Sequence, residues 1–432
     1  MRVAIYTLGC KVNQYETQAL ETELLRRGHT LLPFEGEADA YLINTCTVTA
    51  VSDKKSRQMI RQARKRAPGA VVAVCGCYAQ TNPQALENLN VDLIWGNKDR
   101  IALLDQIEAL AIQGRPQRPA VQVDNILRCH EFEHLPAGGL EGRTRAMLKV
   151  EDGCTNFCSY CIIPYARGPV RSLPREEAAA EAVRLAQAGY QELVITGIEI
   201  SSWGTEFRDG SALIDLIETV CHAAPALRVR LGSLEPRTIT EEFCRRASTL
   251  PNLCPHFHLS LQSGCDATLA RMRRKYDTNR YYESVVSLRD AFDRPGITTD
   301  LIVGFPGETE DEFAQTLEFL ARCRFSGLHI FPYSRRTGTP AANLEGQLSH
   351  REKENRVHRA AAAAKALEHV WLSGWVGETL PVLFETGQDG IWQGHTSNYI
   401  LVSAPGEGLH NQIHPVHITG LAADGLTGRL QG

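Results

Sequence analysis

The sequence predicts an α/β protein with three parts: an N-terminal doubly wound parallel sheet, a central (βα)6 part-barrel and a small C-terminal β-barrel. Two series of alternating apolar strands and helices, separated by a segment rich in Pro and Gly, predict the first two parts. Short strands punctuated by Gly near the C-terminus predict the third. The chain has 432 residues, a length typical of about three domains.

Residues 1–115 are predicted to form the first domain. The predicted strands cover residues 2–7, 40–44, 70–74 and 91–95, and the predicted helices cover 15–27, 50–66, 81–89 and 98–112. Alternation of this kind places helices on both faces of a parallel sheet. The pattern breaks in the polar, Pro-containing segment 113–139, which is predicted to be a linker.

Residues 140–370 are predicted to form the second domain, with six strand–helix units. Its predicted strands cover 146–150, 192–196, 229–233, 257–261, 300–305 and 327–331, and helical patterns follow at 175–189, 211–223, 239–249, 279–293 and 310–324. In barrels of this type the site lies at the C-terminal ends of the strands. A long helix over 349–372, which begins with a capping box at Ser349 and Glu352, leads to the third domain, residues 372–432.

The composition is that of a soluble globular protein, with 43% hydrophobic and 22% charged residues. No apolar run approaches the ~18 residues of a membrane span, and the N-terminal apolar stretch, which ends before Lys11, is too short for a signal peptide. A cytoplasmic protein with no membrane partner is therefore expected. The net charge of −4 excludes an overall basic surface, so binding to nucleic acid would need local patches.

The cysteines are the most specific indication of function, because the chain has 13 of them and no predicted signal peptide, which favours metal binding over disulfides. Cys154, Cys158 and Cys161 follow a predicted strand directly. Three thiolates within eight residues are typical of an iron–sulfur site, and they leave one iron of a four-iron cluster open to a reactant. The alternative is a structural zinc site, for which Cys129–His130 and His134 offer a fourth ligand from across the linker.

A second set of cysteines is dispersed along the chain. Cys10, Cys46 and Cys77 follow the first, second and third predicted strands. Because ligands bind beyond the carboxyl ends of parallel strands, we expect these three thiols to converge. The alternative, three buried core cysteines, explains three equivalent strand-end positions poorly. Cys77 is preferred as the third ligand because Gly76 opens a turn before it, and Cys75 is the substitute.

At these residues the chain resembles the radical S-adenosylmethionine (SAM) methylthiotransferases over essentially its whole length. The spacing C-x-x-x-C-x-x-C is that of the radical SAM superfamily, and TLGC, NTC and GCYAQ, together with RLGSLEP, HLSLQSG and DLIVGFPGET, narrow the resemblance to methylthiotransferases. The segments TLGCKVNQYE and NFCSYCIIPYARG are most similar to the branch that acts on N6-threonylcarbamoyladenosine at position 37 of tRNA. The C-terminal part resembles a TRAM domain.

The resemblance implies two 4Fe–4S clusters and SAM. Cys154, Cys158 and Cys161 would hold the cluster that binds and cleaves SAM, and Cys10, Cys46 and Cys77 an auxiliary cluster that carries the transferred sulfur. No side chain is expected to act as catalytic acid or base, since a C2–H bond of adenine is not acidic and requires radical chemistry. Polar residues near strand ends are candidate SAM contacts, with ordinary loop hydrogen bonding as the alternative: Gly197, Glu199, Ser233, Glu235, Gln262 and Asp300.

The implied partners are a tRNA substrate, an electron donor protein of flavodoxin or ferredoxin type and a sulfur source. A basic stripe on the predicted helix 50–66 is a candidate RNA contact, with a solvated charged face as the alternative; it comprises Lys54, Arg57, Arg61 and Arg64. A second basic patch contains Arg271, Arg273, Arg274 and Lys275. The C-terminal part departs from a basic RNA-binding surface, because five acidic residues and one basic residue follow Trp375. Trp392 and Tyr399 could stack on bases there or belong to the core.

Two other functions fit parts of this pattern. A methylthiotransferase of the same family could act on isopentenyladenosine in tRNA or on an aspartate of a ribosomal protein. From a different class, a non-catalytic, metal-stapled RNA-binding protein would hold zinc and would not cleave SAM.

Overall fold

The strands and helices of the computed structural model, which describes residues 1–135 and 143–431, form the three-part α/β architecture that the sequence predicts. The end of the predicted linker (136–139), the start of the predicted second domain (140–142) and residue 432 lie outside the described residues.

The N-terminal part is a six-stranded parallel sheet with the strand order β2-β1-β3-β4-β5-β6. Its strands are β1 (Arg2–Thr7), β2 (Thr30–Leu32), β3 (Ala40–Thr45), β4 (Val71–Gly76), β5 (Leu93–Trp95) and β6 (Ala120–Gln122). Its helices are α1 (Lys11–Arg26), α2 (Ala50–Arg66), α3 (Cys77–Thr81), α4 (Pro83–Glu87) and α5 (Arg100–Gln113).

Helices cover both faces of this sheet, which confirms the doubly wound arrangement. Ile60 of α2 packs in one apolar layer and Leu103 of α5 in the other. Strands β3 and β4 are buried along their whole length, as expected for apolar strands between two layers of helices. The edge strands β2 and β6 were not predicted, because each has only three residues, none of them buried. Strand β6 lies within the segment predicted as a linker and extends the sheet.

The central part contains six parallel strand positions, which confirms the predicted part-barrel. Its strands are β7 (Arg145–Lys149), β8 (Glu151–Asp152), β9 (Arg171–Ser172), β10 (Glu192–Thr196), β11 (Arg228–Leu231), β12 (Ser233–Leu234), β13 (His256–Leu259), β14 (Gly296–Val303) and β15 (Gly327–Pro332). Strands β7, β10 and β11 pair with one another, as do β12 to β15, and only Gly232 separates β11 from β12. The short strands β8 and β9 form a separate antiparallel pair.

Seven helices, numbered α6 to α12, accompany these strands within the described residues. They are α6 (Ile163–Arg167), α7 (Arg175–Gln187), α8 (Leu213–Ala223), α9 (Glu241–Ala247), α10 (Asp266–Arg271), α11 (Thr278–Ala291) and α12 (Glu310–Cys323). Alternate strand residues such as Leu148 and Leu193 join the apolar core under the helices. Side chains alternate across a strand, so Lys149, Glu192 and His258 face the barrel interior, which is polar.

Helix α13 (His350–Ser373) leads into a closed five-stranded barrel. The barrel has the strand order β16-β17-β18-β20-β19 and is built from β16 (Thr379–Gln388), β17 (Ile391–Thr396), β18 (Leu401–Pro405), β19 (Ile413–Ala422) and β20 (Gly425–Leu430). The loop between β17 and β18 lies against the N-terminal ends of the central strands, where the Tyr399 ring stacks on His256 at 4.7 Å. Within the parts of the chain that the structure covers, no helix combines the length and apolar character of a membrane span.

Candidate active site

Cys154, Cys158 and Cys161 lie in the loop between β8 and α6, beyond the C-terminal end of β7. The backbone fixes this loop, because Cys154 N donates to Gly168 O at 3.0 Å and Cys161 N donates to Cys158 O at 2.9 Å. Two donors reach the sulfurs: Asn156 N lies 3.5 Å from Cys154 Sγ, and Arg274 Nη1 lies 3.0 Å from Cys158 Sγ. Donors and positive charge of this kind stabilise thiolates.

The thiols of this loop influence one another electrostatically. Burial and, to a smaller extent, the neighbouring Cys158 raise the pKa of Cys161 to about 12. Burial likewise raises the pKa of Cys154, with added contributions from Cys161 and Cys158. Thiols of this kind become thiolates when a metal cation binds them, because metal binding releases their protons.

The structure also brings together the dispersed cysteines of the N-terminal part. Cys10 precedes α1, Cys46 follows β3, and Cys77 begins α3, so all three lie beyond the carboxyl ends of the neighbouring strands β1, β3 and β4. The ideal Cβ position of Gly9 is only 3.1 Å from Cys46 Sγ. Burial and, to a smaller extent, Cys77 and Cys10 raise the pKa of Cys46 to about 11.

Cys75 takes no part in this convergence. It lies in β4 and is 2% exposed, and its side chain packs with Leu93, Leu103 and Leu104 in the apolar layer beside α5. Cys77, two residues later, lies past the turn at Gly76 and receives two polar contacts at its sulfur. The geometry therefore favours Cys77 over Cys75 as the third ligand.

The spacing of the sulfurs bears on the kind of metal centre. Three thiolates on one zinc ion, each about 2.3 Å from the metal, would lie about 4 Å from one another. No three of the described cysteines have sulfur atoms that all lie within 4.8 Å of one another. Both cysteine sites are thus wider than a site for one zinc ion. A four-iron cluster does not require the sulfurs to lie this close, because each thiolate binds a different iron.

Arg167 connects the two cysteine sites and was not predicted. It ends helix α6, which follows Cys161, and its Nε donates to Cys77 Sγ at 3.2 Å. Asn97 lies beside it, with Nδ2 3.7 Å from the same sulfur and 2.8 Å from Ala166 O. The two three-cysteine sites are therefore adjacent, one on each side of a domain boundary.

A buried ionic network surrounds Arg167. Glu16 of α1 accepts from Arg167, from Arg100 at 2.8 Å and from Lys149 Nζ at 3.1 Å, and Lys149 also pairs with Asp152 at 2.7 Å. Burial opposes the charged form of Glu16, but the three cations outweigh burial and lower its pKa to about 2. Sequence reasoning missed this network because charged residues are usually exposed, and no spacing marks them as neighbours.

Two predicted SAM contacts, Glu199 and Glu235, lie close to the cysteine loop. Glu235 forms an ion pair with Arg274, the residue that also contacts Cys158 Sγ. Glu199 accepts from Ser201 N at 3.0 Å. The pKa of Glu199 is raised to about 7. Burial is the main cause and the negative charge of Glu235 contributes, whereas the hydrogen bonds from Ser201 and Ser202 lower the pKa.

The other predicted SAM contacts differ in their surroundings. A Cβ on Gly197 would lie 2.8 Å from a carboxylate oxygen of Glu151, and Ser233 is exposed at the start of β12. Gln262 N donates to Asp300 O at 2.9 Å. The Asp300 carboxylate lies 3.3 Å from His258 Nε2, and together with His329 these form the only set of ion-ligating side chains in the described residues whose ligand atoms all lie within 4.8 Å.

The structure revises the predicted basic stripe on α2. Arg64 is not on the surface, because it is buried and pairs with Asp92 at 2.5 Å. Lys54 and Arg61 are exposed as predicted, and Lys65 is exposed beside them. In the second patch, Arg271 pairs with Glu312 of α12 at 2.5 Å, whereas Arg274 and Lys275 contact the cysteine loop.

Comparison with known proteins decides the family. The family described as "Uncharacterized protein family UPF0004" matches residues 2–96, and the "Radical SAM superfamily" matches residues 148–320. The chain is 41% identical to the threonylcarbamoyladenosine tRNA methylthiotransferase MtaB of Bacillus subtilis over 407 residues, which cover 93% of this chain and 89% of that protein. The chain belongs to the radical SAM methylthiotransferase family. As a radical SAM methylthiotransferase, it is an enzyme that transfers a methylthio group and uses an iron–sulfur cluster and SAM.

Other similarities agree with this assignment. MtaB of Thermotoga maritima is 35% identical, and the matched region covers 98% of this chain and 96% of that protein. A tRNA-2-methylthio-N(6)-dimethylallyladenosine synthase of Symbiobacterium thermophilum is 32% identical, and the matched region covers 99% of this chain and 94% of that protein. The fold is similar to that of the radical SAM methyltransferase TsrM of Kitasatospora setae, with a TM-score of 0.58, 17% identity and coverage of 79% and 76%. Membership of an enzyme family excludes the alternative of a non-catalytic metal-binding scaffold.

Proposed function

We propose that this radical SAM methylthiotransferase modifies C2 of N6-threonylcarbamoyladenosine at position 37 of tRNA. The similarity to MtaB proteins along nearly the whole chain carries the proposal, because substrate preference within a family depends on the complete set of domains. Two relatives that are named for dimethylallyladenosine are 32% and 34% identical to this chain, against 41% and 40% for the MtaB proteins of Bacillus subtilis and Aquifex aeolicus. A tRNA substrate also agrees with activity in the cytoplasm.

We further propose that the enzyme holds two four-iron clusters. Cys154, Cys158 and Cys161 would bind the first, and the convergence of Cys10, Cys46 and Cys77 supports a second. When bound, these groups and SAM would supply the one-electron cleavage of SAM and the sulfur that is transferred. The contact between Arg167 and Cys77 supports a common reaction space, because it joins the second site to the helix that follows the first.

The residues around these sites would orient the reactants and balance charge. Arg274 would hold Glu235 beside Cys158, so that the carboxylate can receive the positively charged groups of SAM. Glu199 is placed for a similar contact, and Gly197, Ser233, Gln262 and Asp300 are the further proposed SAM contacts. Arg167 would place positive charge at Cys77, where thiolate charge has to be stabilised.

The exposed cations of α2 are the proposed contact with tRNA phosphates. Lys54, Arg61 and Lys65 lie on one exposed face of this helix, whose first residue comes four positions after Cys46. The C-terminal barrel is less suited to that role, since Glu385 pairs with Arg145 and Tyr399 faces the central part. An electron donor of flavodoxin or ferredoxin type and a sulfur source complete the proposed reaction.

The substrate assignment is tested with enzyme reconstituted with iron and sulfide. Matched tRNAs carry either N6-threonylcarbamoyladenosine or isopentenyladenosine at position 37, and the nucleosides are analysed by mass spectrometry after incubation with SAM and a reductant. We expect the 2-methylthio product from the threonylcarbamoyl tRNA. Product from the isopentenyl tRNA alone would overturn the assignment.

The second cluster is tested by iron and sulfide content after anaerobic purification. We expect Cys10→Ala and Cys154→Ala each to lose about half of the iron and sulfide, because each removes a ligand from a separate site. Cys221→Ala is the matched control, since Cys221 lies buried in α8 among apolar residues. Unchanged iron in Cys10→Ala would contradict the second cluster.

A further inference from the structure

A cavity of about 380 Å³ lies where the three parts of the molecule meet. Met147 and Val194 of the central strands line it, so the cavity belongs to the barrel interior. Its charged and aromatic lining includes Lys11, Arg145, Arg230 and Tyr399. The volume is in the range of pockets for small ligands.

The cavity borders the N-terminal cysteine site. Lys11 is the first residue of α1 and follows Cys10 directly. Lys11 lines the cavity together with Arg145, Arg230 and Tyr399. A group bound at Lys11 would thus lie beside the place where sulfur is proposed to be held.

Lys11 and the exposed Arg143, which also lines the cavity, differ from Arg145 and Arg230 in having no ion-pair partner among the described residues. Arg230 pairs with Glu192 at 2.7 Å and Arg145 with Glu385 at 2.7 Å. Among the described residues, no hydrogen bond or ion pair is formed by Lys11. Water reaches the Lys11 side chain, which is exposed at the cavity.

Ring stacking fixes the position of Tyr399 in the cavity lining. The Tyr399 ring stacks between His256 and His395, at 4.7 Å from each, and lies 4.8 Å from the guanidinium of Arg230. Four cations thus line the cavity: Arg145 and Arg230 have carboxylate partners, whereas Lys11 and Arg143 have none among the described residues. A ligand that brings one negative charge would complete this arrangement.

We infer that Lys11 binds the carboxylate of the threonylcarbamoyl group, with Arg145 and Arg230 shaping the positive field of the cavity. The inference deepens the proposed function and rests on it. The threonyl moiety ends in a carboxylate, whereas an isopentenyl group is uncharged and apolar. An isopentenyl group in this cavity would leave Lys11 without a counter-charge, so the cavity selects against it.

The test uses anticodon stem-loop RNAs that carry the threonylcarbamoyl group either as the free acid or as the neutral threoninamide. Binding affinity and methylthiolation rate are measured for both RNAs. We expect the wild-type enzyme to prefer the acid by about tenfold to a hundredfold in kcat/KM, the range for a charged hydrogen bond. Lys11→Gln should reduce this preference to nearly one, and Lys11→Arg should restore part of it.

Lys365→Gln is the matched control, because it removes the same charge from an exposed position on α13 and should keep the full preference. Iron and sulfide content show whether a variant at residue 11 retains both sites. Equal use of acid and amide by the wild-type enzyme would overturn the inference while leaving the proposed function intact. A preference that persists in Lys11→Gln with full iron content would also overturn it. Absence of product from either RNA would instead contradict the proposed function, and the binding comparison would still report on Lys11.

Discussion

The central cysteine site takes its three thiols from eight consecutive residues, whereas the N-terminal site takes them from the ends of three strands. In the first, one loop and its backbone hydrogen bonds set the positions of the sulfurs. In the second, the positions depend on the register of β1, β3 and β4 and on contacts from the neighbouring domain. The N-terminal site should therefore be more sensitive to changes far away in sequence.

The largest effect is expected from Arg167→Met. The substitution leaves Glu16 with fewer partners in a fully buried network, a change that typically costs about 3–5 kcal/mol. It also removes a hydrogen-bond donor from the sulfur of Cys77. The iron content of the N-terminal site should therefore fall, whereas the iron content of the central site should be unchanged. Chemical unfolding and iron analysis measure both effects. Arg26→Met, which removes an exposed ion pair with Glu23, is the control and should unfold like the wild type. Equal free energies of unfolding for the two variants would contradict the role of the network.

Acid should weaken the same network. The pKa of Glu16 is about 2 in the folded protein against an ordinary value of 4.5. A lowered carboxyl pKa stabilises the fold above pH 4.5, and this contribution disappears as the pH falls from about 4.5 toward 2. The free energy of unfolding of wild type should thus approach that of Glu16→Gln over this window. A difference between the two proteins that stays constant with pH would argue against a charged Glu16.

Two glycines that precede proposed ligand cysteines allow a matched comparison of the sites. Gly76 and Gly153 have φ values of +90° and +94°, and an added Cβ would lie 2.4 Å from Thr45 O and 1.9 Å from Pro169 O, respectively. Alanine at either position should cost about 1–3 kcal/mol or more and displace the following cysteine. Iron content should fall at the N-terminal site for Gly76→Ala and at the central site for Gly153→Ala. Gly189→Ala, with a φ of +89° and no atom within 4 Å, serves as the control and should retain all iron.

A smaller effect is expected from Cys75→Ala, which sharpens the assignment of the third N-terminal ligand. The side chain packs in the apolar layer, so its loss should cost about 1–2 kcal/mol through a small cavity and leave the iron content unchanged. Cys77→Ala should lose about half of the iron. The reverse pattern in iron analysis would make Cys75 the ligand.

The smallest effect is expected from Arg61→Ala on α2. Loss of one phosphate contact should weaken tRNA binding about equally for all sequences and reduce the salt dependence of log K by about 1. Titrations at several salt concentrations measure the slope. Arg245→Ala on α9, another exposed arginine, is the comparison and should leave the slope as in the wild type. Equal slopes for all three proteins would remove α2 from the RNA surface.

Much of the fold follows from local patterns in the sequence. The bounds of α2 agree with the predicted helix 50–66, and Thr49 caps it through a hydrogen bond from Ser52 N. The six strands of the part-barrel were predicted because apolar runs recur between helices. The edge strand β6 was missed, since its three residues are exposed and carry no apolar signal. Arg64 was placed on the surface although it is buried, because helical spacing does not reveal the partner Asp92 across the sheet.

The sequence by itself determined the family, the three-part architecture and the two sets of cysteines, because spacing and strand-end position are local properties. Only the tertiary structure placed Cys75 in the apolar layer, joined Arg167 to the N-terminal site and placed Lys11 in the central cavity. These features depend on which residues meet across domain boundaries. Such contacts produce no periodic pattern in the sequence, because they arise from packing and not from local backbone preference.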